Sequence, residues 1–209
     1  MRTSRLEAFS DGVLAIIITI MVLGLHVPTG EHGATLAALR HTAGSGLLTY
    51  LLSFVYVGIY WTNHHHMFQV TRHVTGGVLW ANLGLLFCLS LFPFTTQWMD
   101  GTRFARIPVI TYGVNLLVAA IAYYILQSVI IRTQGDQSAL RQAVGGDIKG
   151  KLSPFGYIIG AIAATFGGPG VWIGVACYVL VAAWWVIPDR RIETTIVIPR
   201  PGPGDEEEG

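Results

Sequence analysis

The chain has 209 residues, of which only 12% are charged and 52% are apolar or aromatic. Its mean hydropathy is +0.54, whereas soluble domains carry roughly 25% charged residues. The net charge of +1 lacks the basic excess that nucleic-acid binding requires. The two cysteines, Cys88 and Cys177, lie in apolar stretches and offer neither a disulfide framework nor a zinc site. Soluble enzymes, disordered chains and nucleic-acid binders are excluded, which leaves an integral membrane protein.

Six hydrophobic runs predict helices that cross a lipid bilayer, each of which needs about 20 apolar residues. The runs cover residues 6–25, 45–66, 77–98, 107–131, 153–167 and 170–188. Ser4 and Glu7 fit a capping box at the start of the first helix, and Pro93 predicts a kink or a stop in the third. The predicted fold is all-α, with one transmembrane domain over residues 1–188 and a disordered cytoplasmic tail over residues 189–209.

The fifth and sixth runs are separated by Gly167, Gly168, Pro169 and Gly170. Proline lacks a backbone N–H and glycine adopts conformations that other residues avoid, so this segment interrupts a helix. The two runs therefore form either a helical hairpin or one broken helix.

Lysine and arginine are distributed unequally between the two sides of the predicted bundle. With the N-terminus inside, the ten inner residues are Arg2, Arg5, Arg72, Arg132, Arg141, Lys149, Lys151, Arg190, Arg191 and Arg200. The three outer residues are Arg40, Arg103 and Arg106. Because cytoplasmic loops carry the excess of positive charge, both termini are predicted to be cytoplasmic.

The first helix carries an aliphatic stripe. At about 100° per residue, Ile16, Ile20 and Leu23 lie within about 60° of one another, and Thr19 borders them. Ser10 and Asp11 point to other faces. Aliphatic residues at i, i+4 and i+7 are typical of ordinary helix packing as well as of a lined pore, so the spacing alone leaves both interpretations open.

Apart from the capping residue Glu7, Asp11 is the only carboxylate within an apolar run, and it needs partners on neighbouring helices. It belongs either to a structural network or to a site that contacts ions. Candidate partners close the second run and open the third: Trp61, Asn63, His64, His65, His66 and Asn82. Successive histidines on a helix point about 100° apart and lack metal-ligand spacing, so no fixed metal site is expected.

Arg5, Phe9, Ser10 and Asp11 in the first helix spell R-x-x-x-F-S-D. This signature resembles that of the transmembrane protein 175 family, the endosomal and lysosomal potassium channels and their bacterial relatives. Supporting matches are Trp61 with Asn63, His64 and His65, then Asn82, then Pro93 with Phe94 and Thr95, and finally Ile187 to Arg191. A single repeat of six spans is similar to the bacterial members of this family.

The resemblance implies a cation channel of modest potassium selectivity that has no filter loop of backbone carbonyls. It implies a homotetramer in the inner cell membrane, with K⁺ as the permeant ion and no cofactor. Ile16, Ile20 and Leu23 would form successive constrictions, and Thr19 would contribute to potassium preference. The family's structural network would comprise Arg5, Phe9, Ser10, Asp11, Trp61, His64, His65 and Asn82. Thr111 to Val114 imitates a filter sequence but lies inside an apolar run in the wrong order.

The alternative function is a proton-coupled secondary transporter or a proton leak pathway. Asp11, the histidines 64–66 and the break at 167–170 favour it, since intramembrane ionisable residues and broken helices mark transport sites. The chain shows no inverted repeat and no second charge at mid-span, which speaks against transport. A membrane enzyme is excluded, because only one carboxylate besides the capping Glu7 lies within the spans.

Overall fold

The computed structural model describes residues 3–29, 35–71, 73–135, 140 and 148–186, and in these ranges the chain is helical. The helices are α1 (Thr3–Met21), α2 (Leu36–Gln69), α3 (Gly76–Ser90), α4 (Phe92–Gly101), α5 (Arg106–Gln134), α6 (Ile148–Thr165) and α7 (Pro169–Val186). A 3₁₀ turn (Val22–Gly24) extends α1. The predicted all-α membrane fold is confirmed, while the predicted tail 189–209 and the motif at 187–191 lie outside the described residues.

Five helical stretches in the described ranges are long and apolar enough to cross a membrane. They are Thr3–Gly24, Gly44–Gln69, Gly76–Gly101, Arg106–Gln134 and Pro169–Val186. The remaining predicted span, 153–167, corresponds to α6, which starts earlier than predicted and carries Lys149 and Lys151 in its first turn. These lysines lower the hydropathy of a helix that has only 18 residues.

The third predicted span consists of two helices in line. α3 ends at Ser90, and α4 begins at Phe92 with Pro93 in its first turn. Proline is tolerated at that position because the first amides of a helix have no intrahelical partner. The expected kink or stop at Pro93 is thus a junction at Leu91.

Residues 166–168 form a tight turn between two complete helices, and Pro169 and Gly170 already belong to α7. Gly167 and Gly168 have φ angles of +69° and +47°, a region that residues with a Cβ rarely adopt. The N–H of Gly170 donates to the carbonyl of Gly167 at 2.8 Å. α6 and α7 then pack backbone to backbone, since a Cβ on Gly174 would lie 2.6 Å from the carbonyl oxygen of Gly160. The segment is therefore the turn of a hairpin.

Hydrogen bonds at the helix ends show that several termini meet on one side of the bundle. The hydroxyl of Thr3 donates to the carbonyl of Thr71 at 3.3 Å. The amide of Gln134 donates to the carbonyl of Val70 at 3.2 Å. The start of α1, the end of α2 and the end of α5 therefore lie together at one end of the bundle.

Several buried tyrosines in the interior have hydroxyls with hydrogen-bond partners. Tyr56 donates to the carbonyl of Tyr178 at 2.6 Å, and the hydroxyl of Tyr112 lies 3.0 Å from that of Ser53. Gly113 faces the Tyr178 hydroxyl so closely that a Cβ would overlap it. The filter-like segment 111–114 therefore lies inside α5, where it packs against α7.

Candidate pore helix and its polar network

One face of α1 is buried against the other helices of its own chain. The apolar run from Val13 to Met21 favours a helix without interruption, and its buried positions recur every three or four residues. These positions are Leu6, Ser10, Leu14, Ile17 and Met21. The burial fixes which side of α1 faces the bundle.

The opposite face of α1 is exposed, and it carries the stripe that the sequence predicts. Ile16 is 58% exposed, Ile20 44% and Leu23 79%. Leu23 lies in the 3₁₀ turn rather than in α1 itself, because the α-helix ends two residues before it. The hydroxyl of Thr19 lies 2.9 and 3.0 Å from the carbonyls of Ala15 and Ile16, to which it donates, and the residue is exposed.

A chain of hydrogen bonds joins α1, α3 and α2 on the buried side. Ser10 Oγ donates to the carbonyl of Leu6 at 2.9 Å. It accepts from Asn82 Nδ2 at 2.9 Å, and Asn82 Oδ1 lies 2.8 Å from His64 Nε2. Since an amide oxygen only accepts, the proton of this last bond is on Nε2 of His64. The three side chains are buried, so the network locks α1 against the bundle.

A second pair of contacts lies beside the first, nearer the surface. Trp61 Nε1 donates to Asp11 Oδ1 at 3.0 Å. His65 Nδ1 lies 2.8 Å from Glu7 Oε1, and the rings of Trp61 and His65 are stacked with centroids 6.1 Å apart. Asp11 therefore faces α2, as expected of a carboxylate that seeks donors.

Sequence reasoning assigned Glu7 to a helix cap and missed its pairing with His65. α1 already includes Thr3 and Ser4, so Ser4 is not the residue before the helix. The overlooked signal is a matched spacing. Glu7 and Asp11 are four residues apart on α1, as are Trp61 and His65 on the antiparallel α2.

Two signature residues lie apart from these contacts. Arg5 and Phe9 are exposed, and Arg5 makes no hydrogen bond or ion pair with the part of the chain that the structure describes. Asn63 turns back on its own helix, with its amide donating to the carbonyl of Ile59 at 2.8 Å. Within one chain, the structure thus brings together Ser10, Asp11, Trp61, His64, His65 and Asn82 but not Arg5.

The candidate site has no arrangement suited to binding a metal. Across the described ranges, no three His, Cys, Asp or Glu side chains converge as a ligand set. What α1 presents is an aliphatic face, held in place by polar contacts on its opposite side. The fold and this helix define the class: a multi-pass helical membrane protein whose first helix has an apolar face that its own chain does not cover.

Comparisons with known proteins identify the family. The family model of the endosomal/lysosomal potassium channel TMEM175 matches residues 5–93. A protein of Chryseobacterium sp. (strain P1-3) named a potassium channel is 51% identical over 196 residues, which cover 94% of this chain and 98% of that protein. The chain belongs to the TMEM175 family of ion channels and is not an enzyme.

More distant relatives agree with this assignment. The human endosomal/lysosomal proton channel TMEM175 is 40% identical over 96 residues, which cover 42% of this chain and 18% of that protein. The crystal structure of a lysosomal potassium-selective channel TMEM175 homolog from Chamaesiphon minutus superposes with a TM-score of 0.73 at 26% identity. That match covers 88% of this chain and 96% of the other, so the two share one fold over nearly their whole length.

Proposed function

We propose that this chain forms a potassium-permeable cation channel in which the first helices of four identical copies surround one pore. The observation that carries the proposal is the division of α1 into two faces. The face with Ser10 is buried in its own chain, while Ile16, Ile20 and Leu23 are exposed. Four such stripes around an axis would cover one another, and a single bundle has no internal symmetry from which to build the same pore.

The names of the relatives support potassium as the permeant ion. The bacterial relatives from Chryseobacterium and Streptomyces collinus are named potassium channels. The solved relative from Chamaesiphon minutus is titled potassium-selective. Each name describes that protein. Because this chain belongs to the same family, we extend potassium permeation to it as a proposal.

The proposed constriction works by excluding water. Rings of Ile16, Ile20 and Leu23 offer an ion no ligands, so a narrow apolar neck loses its water and becomes a barrier. Widening the neck admits hydrated ions. Selectivity is then modest, because only the width of the neck and the exposed hydroxyl oxygens of Thr19 distinguish one cation from another.

The proposed orientation places both termini in the cytoplasm and the protein in the inner membrane. Lys149 and Lys151 begin α6, and Arg132 lies in the last turn of α5. These elements lie at the end of the bundle where α1 begins. Arg40, Arg103 and Arg106 lie at the other end, near the starts of α2 and α5. The excess of positive charge marks the cytoplasmic side.

Proton permeation is the second candidate, because the animal relatives are named proton channels. One of the observations that favoured a transporter, a broken helix near residues 167–170, does not hold. Residues 166–168 connect two complete helices as a hairpin turn and do not interrupt a helix in mid-membrane. The remaining alternative is therefore a proton pathway through the same pore.

Single-channel recording of the purified protein in planar bilayers tests the permeant ion. Under opposed gradients of K⁺, Na⁺ and H⁺, we expect an ohmic current whose reversal potential lies closest to that of K⁺. A reversal potential that follows only the proton gradient would replace the potassium proposal by the proton pathway. Saturable exchange without unitary currents would refute a channel.

Cysteine cross-linking tests the arrangement of the four copies. In a background without Cys88 and Cys177, Leu23→Cys should give disulfide-linked dimers under mild oxidation, because each copy then carries a single thiol, and size exclusion in detergent should give the mass of a tetramer. Leu14→Cys is the matched control, since Leu14 is 1% exposed and faces its own chain. Equal cross-linking at both positions, or none at position 23, would contradict a pore lined by α1.

A further inference from the structure

A cavity of about 380 Å³ lies between α2, α5, α6 and α7, remote from the face of α1 discussed above. Its floor is formed by the buried aromatic side chains of Tyr56, Tyr60 and Tyr157. The volume falls within the range of small-ligand sites, roughly 300–1,000 Å³. None of the contacts assigned to the pore helix involves it.

The mouth of the cavity opens on the outer surface of the bundle. Ile121 and Tyr124 line it and are 47% and 66% exposed. Both belong to α5, a helix of membrane-spanning length. The surface that surrounds this opening is therefore the one that faces lipid.

Among the residues that the structure describes, one charged side chain lines the cavity. It is Lys151, exposed in the first turn of α6, and none of the described lining residues is acidic. Trp185 lies at the same level, with its Nε1 donating to Ser153 Oγ at 2.7 Å. Tryptophan and lysine near the ends of membrane helices mark the level of the lipid headgroups.

We propose that this cavity binds an anionic phospholipid from the surrounding leaflet. The acyl chain would occupy the apolar space above Tyr56 and Tyr60, and the headgroup phosphate would contact Lys151. Basic pockets between membrane helices on the cytoplasmic side bind anionic headgroups in this way.

The lining favours a lipid over the other ligands of this size. Among the described lining residues a cation would meet Lys151 and no carboxylate, so their charge disfavours it. A soluble anion would find one lysine at the mouth but mostly apolar walls, which cannot replace its hydration. A phospholipid matches both the lysine at the mouth and the apolar walls, because its charged headgroup and its apolar acyl chains are separated in the same way.

Native mass spectrometry of the detergent-purified full chain tests the proposal by titration with phosphatidylglycerol and with phosphatidylcholine of the same acyl chains. We expect the anionic lipid to bind more tightly. Lys151→Gln should weaken its binding about fivefold, as expected for one lysine at a phosphate, and weaken phosphatidylcholine less, because the choline cation offsets the charge of its phosphate. The matched control is Arg132→Gln, which removes an exposed charge in the last turn of α5 that does not line the cavity.

Filling the space tests the acyl-chain half of the proposal. Ala120→Phe should reduce the binding of both lipids, and Ile121→Trp at the mouth serves the same purpose if the first variant misfolds. Equal losses in Lys151→Gln and Arg132→Gln would overturn the proposal, as would unchanged lipid binding in a filled, folded variant. Displacement of phosphatidylglycerol by millimolar inorganic phosphate alone would show a site for soluble anions and would also overturn it.

Discussion

Ile16 and Ile17 are neighbours on α1 with opposite surroundings, and they provide the sharpest test of the proposed pore. Ile16 is 58% exposed and Ile17 is 4% exposed. The same substitution, isoleucine to asparagine, should therefore act on ion flow at position 16 and on stability at position 17. Both variants have the same composition and the same change in helix propensity, so a difference between them reports on the surroundings of the two positions.

The magnitudes follow from the burial of each side chain. Ile17→Asn removes a packed aliphatic side chain, which costs about 2–5 kcal/mol when a large core residue is truncated. It also buries an unpaired amide at a cost of about 1–3 kcal/mol. Ile16→Asn makes neither change within its own chain, so the free energy of unfolding should stay within about 0.5 kcal/mol, as for a surface substitution. In a pore ring, the added amide would wet the apolar neck.

Potassium flux into liposomes and thermal unfolding should be measured on the same preparations, with size exclusion to monitor assembly. We expect Ile16→Asn to raise the flux, to lower the preference for K⁺ over Na⁺ and to leave the melting temperature nearly unchanged. Ile17→Asn should lower the melting temperature with no gain in flux. A stable Ile16→Asn assembly with unchanged flux would refute the pore position of Ile16, and equal destabilisation of both variants would refute the two-faced helix.

Three further substitutions test the contacts that hold α1 and the hairpin. Asn82→Leu breaks both of its hydrogen bonds and should cost about 1–3 kcal/mol, so an unchanged melting temperature would argue against the network. Glu7→Gln weakens a partly exposed pair with His65 and should change stability by less than about 1 kcal/mol; a larger loss by the same measurement would mean that the pair is buried in the assembly. Gly174→Ala places a Cβ against α6 and should lower the free energy of unfolding by about 1–3 kcal/mol; an unchanged melting temperature would argue against the close packing of the hairpin.

The two faces of α1 were predictable because they depend only on the angle between residues of one helix. A helix turns by about 100° per residue, which places Ser10 on a different face from Ile16 and Ile20. In the structure Ser10 is buried, and Ile16 and Ile20 are exposed. The break near Pro93 was predictable for a similarly local reason, since proline cannot continue a hydrogen-bonded turn.

Contacts between helices were harder to predict, because they depend on the register of segments far apart in the sequence. Nothing local aligns Glu7 with His65, which lie on antiparallel helices and meet only once α2 is placed against α1. Arg5 illustrates the complementary difficulty. Its role was inferred from the resemblance alone, and its side chain meets none of the predicted partners in the described part of a single chain.

The position of the network constrains how the proposed neck opens. Rotating α1 about its axis would break the 2.9 Å bond between Asn82 and Ser10, whereas tilting α1 about Ser10 would keep it. Leu23 lies thirteen residues beyond Ser10, about 20 Å at 1.5 Å per residue, so a tilt of roughly 10° moves it by about 3 Å, the diameter of a water molecule. We therefore expect distances between spin labels on different copies to change more at Leu23 than at Phe9 when the channel opens. Equal changes at both positions would indicate rotation or translation of the whole helix and would contradict a pivot at the network.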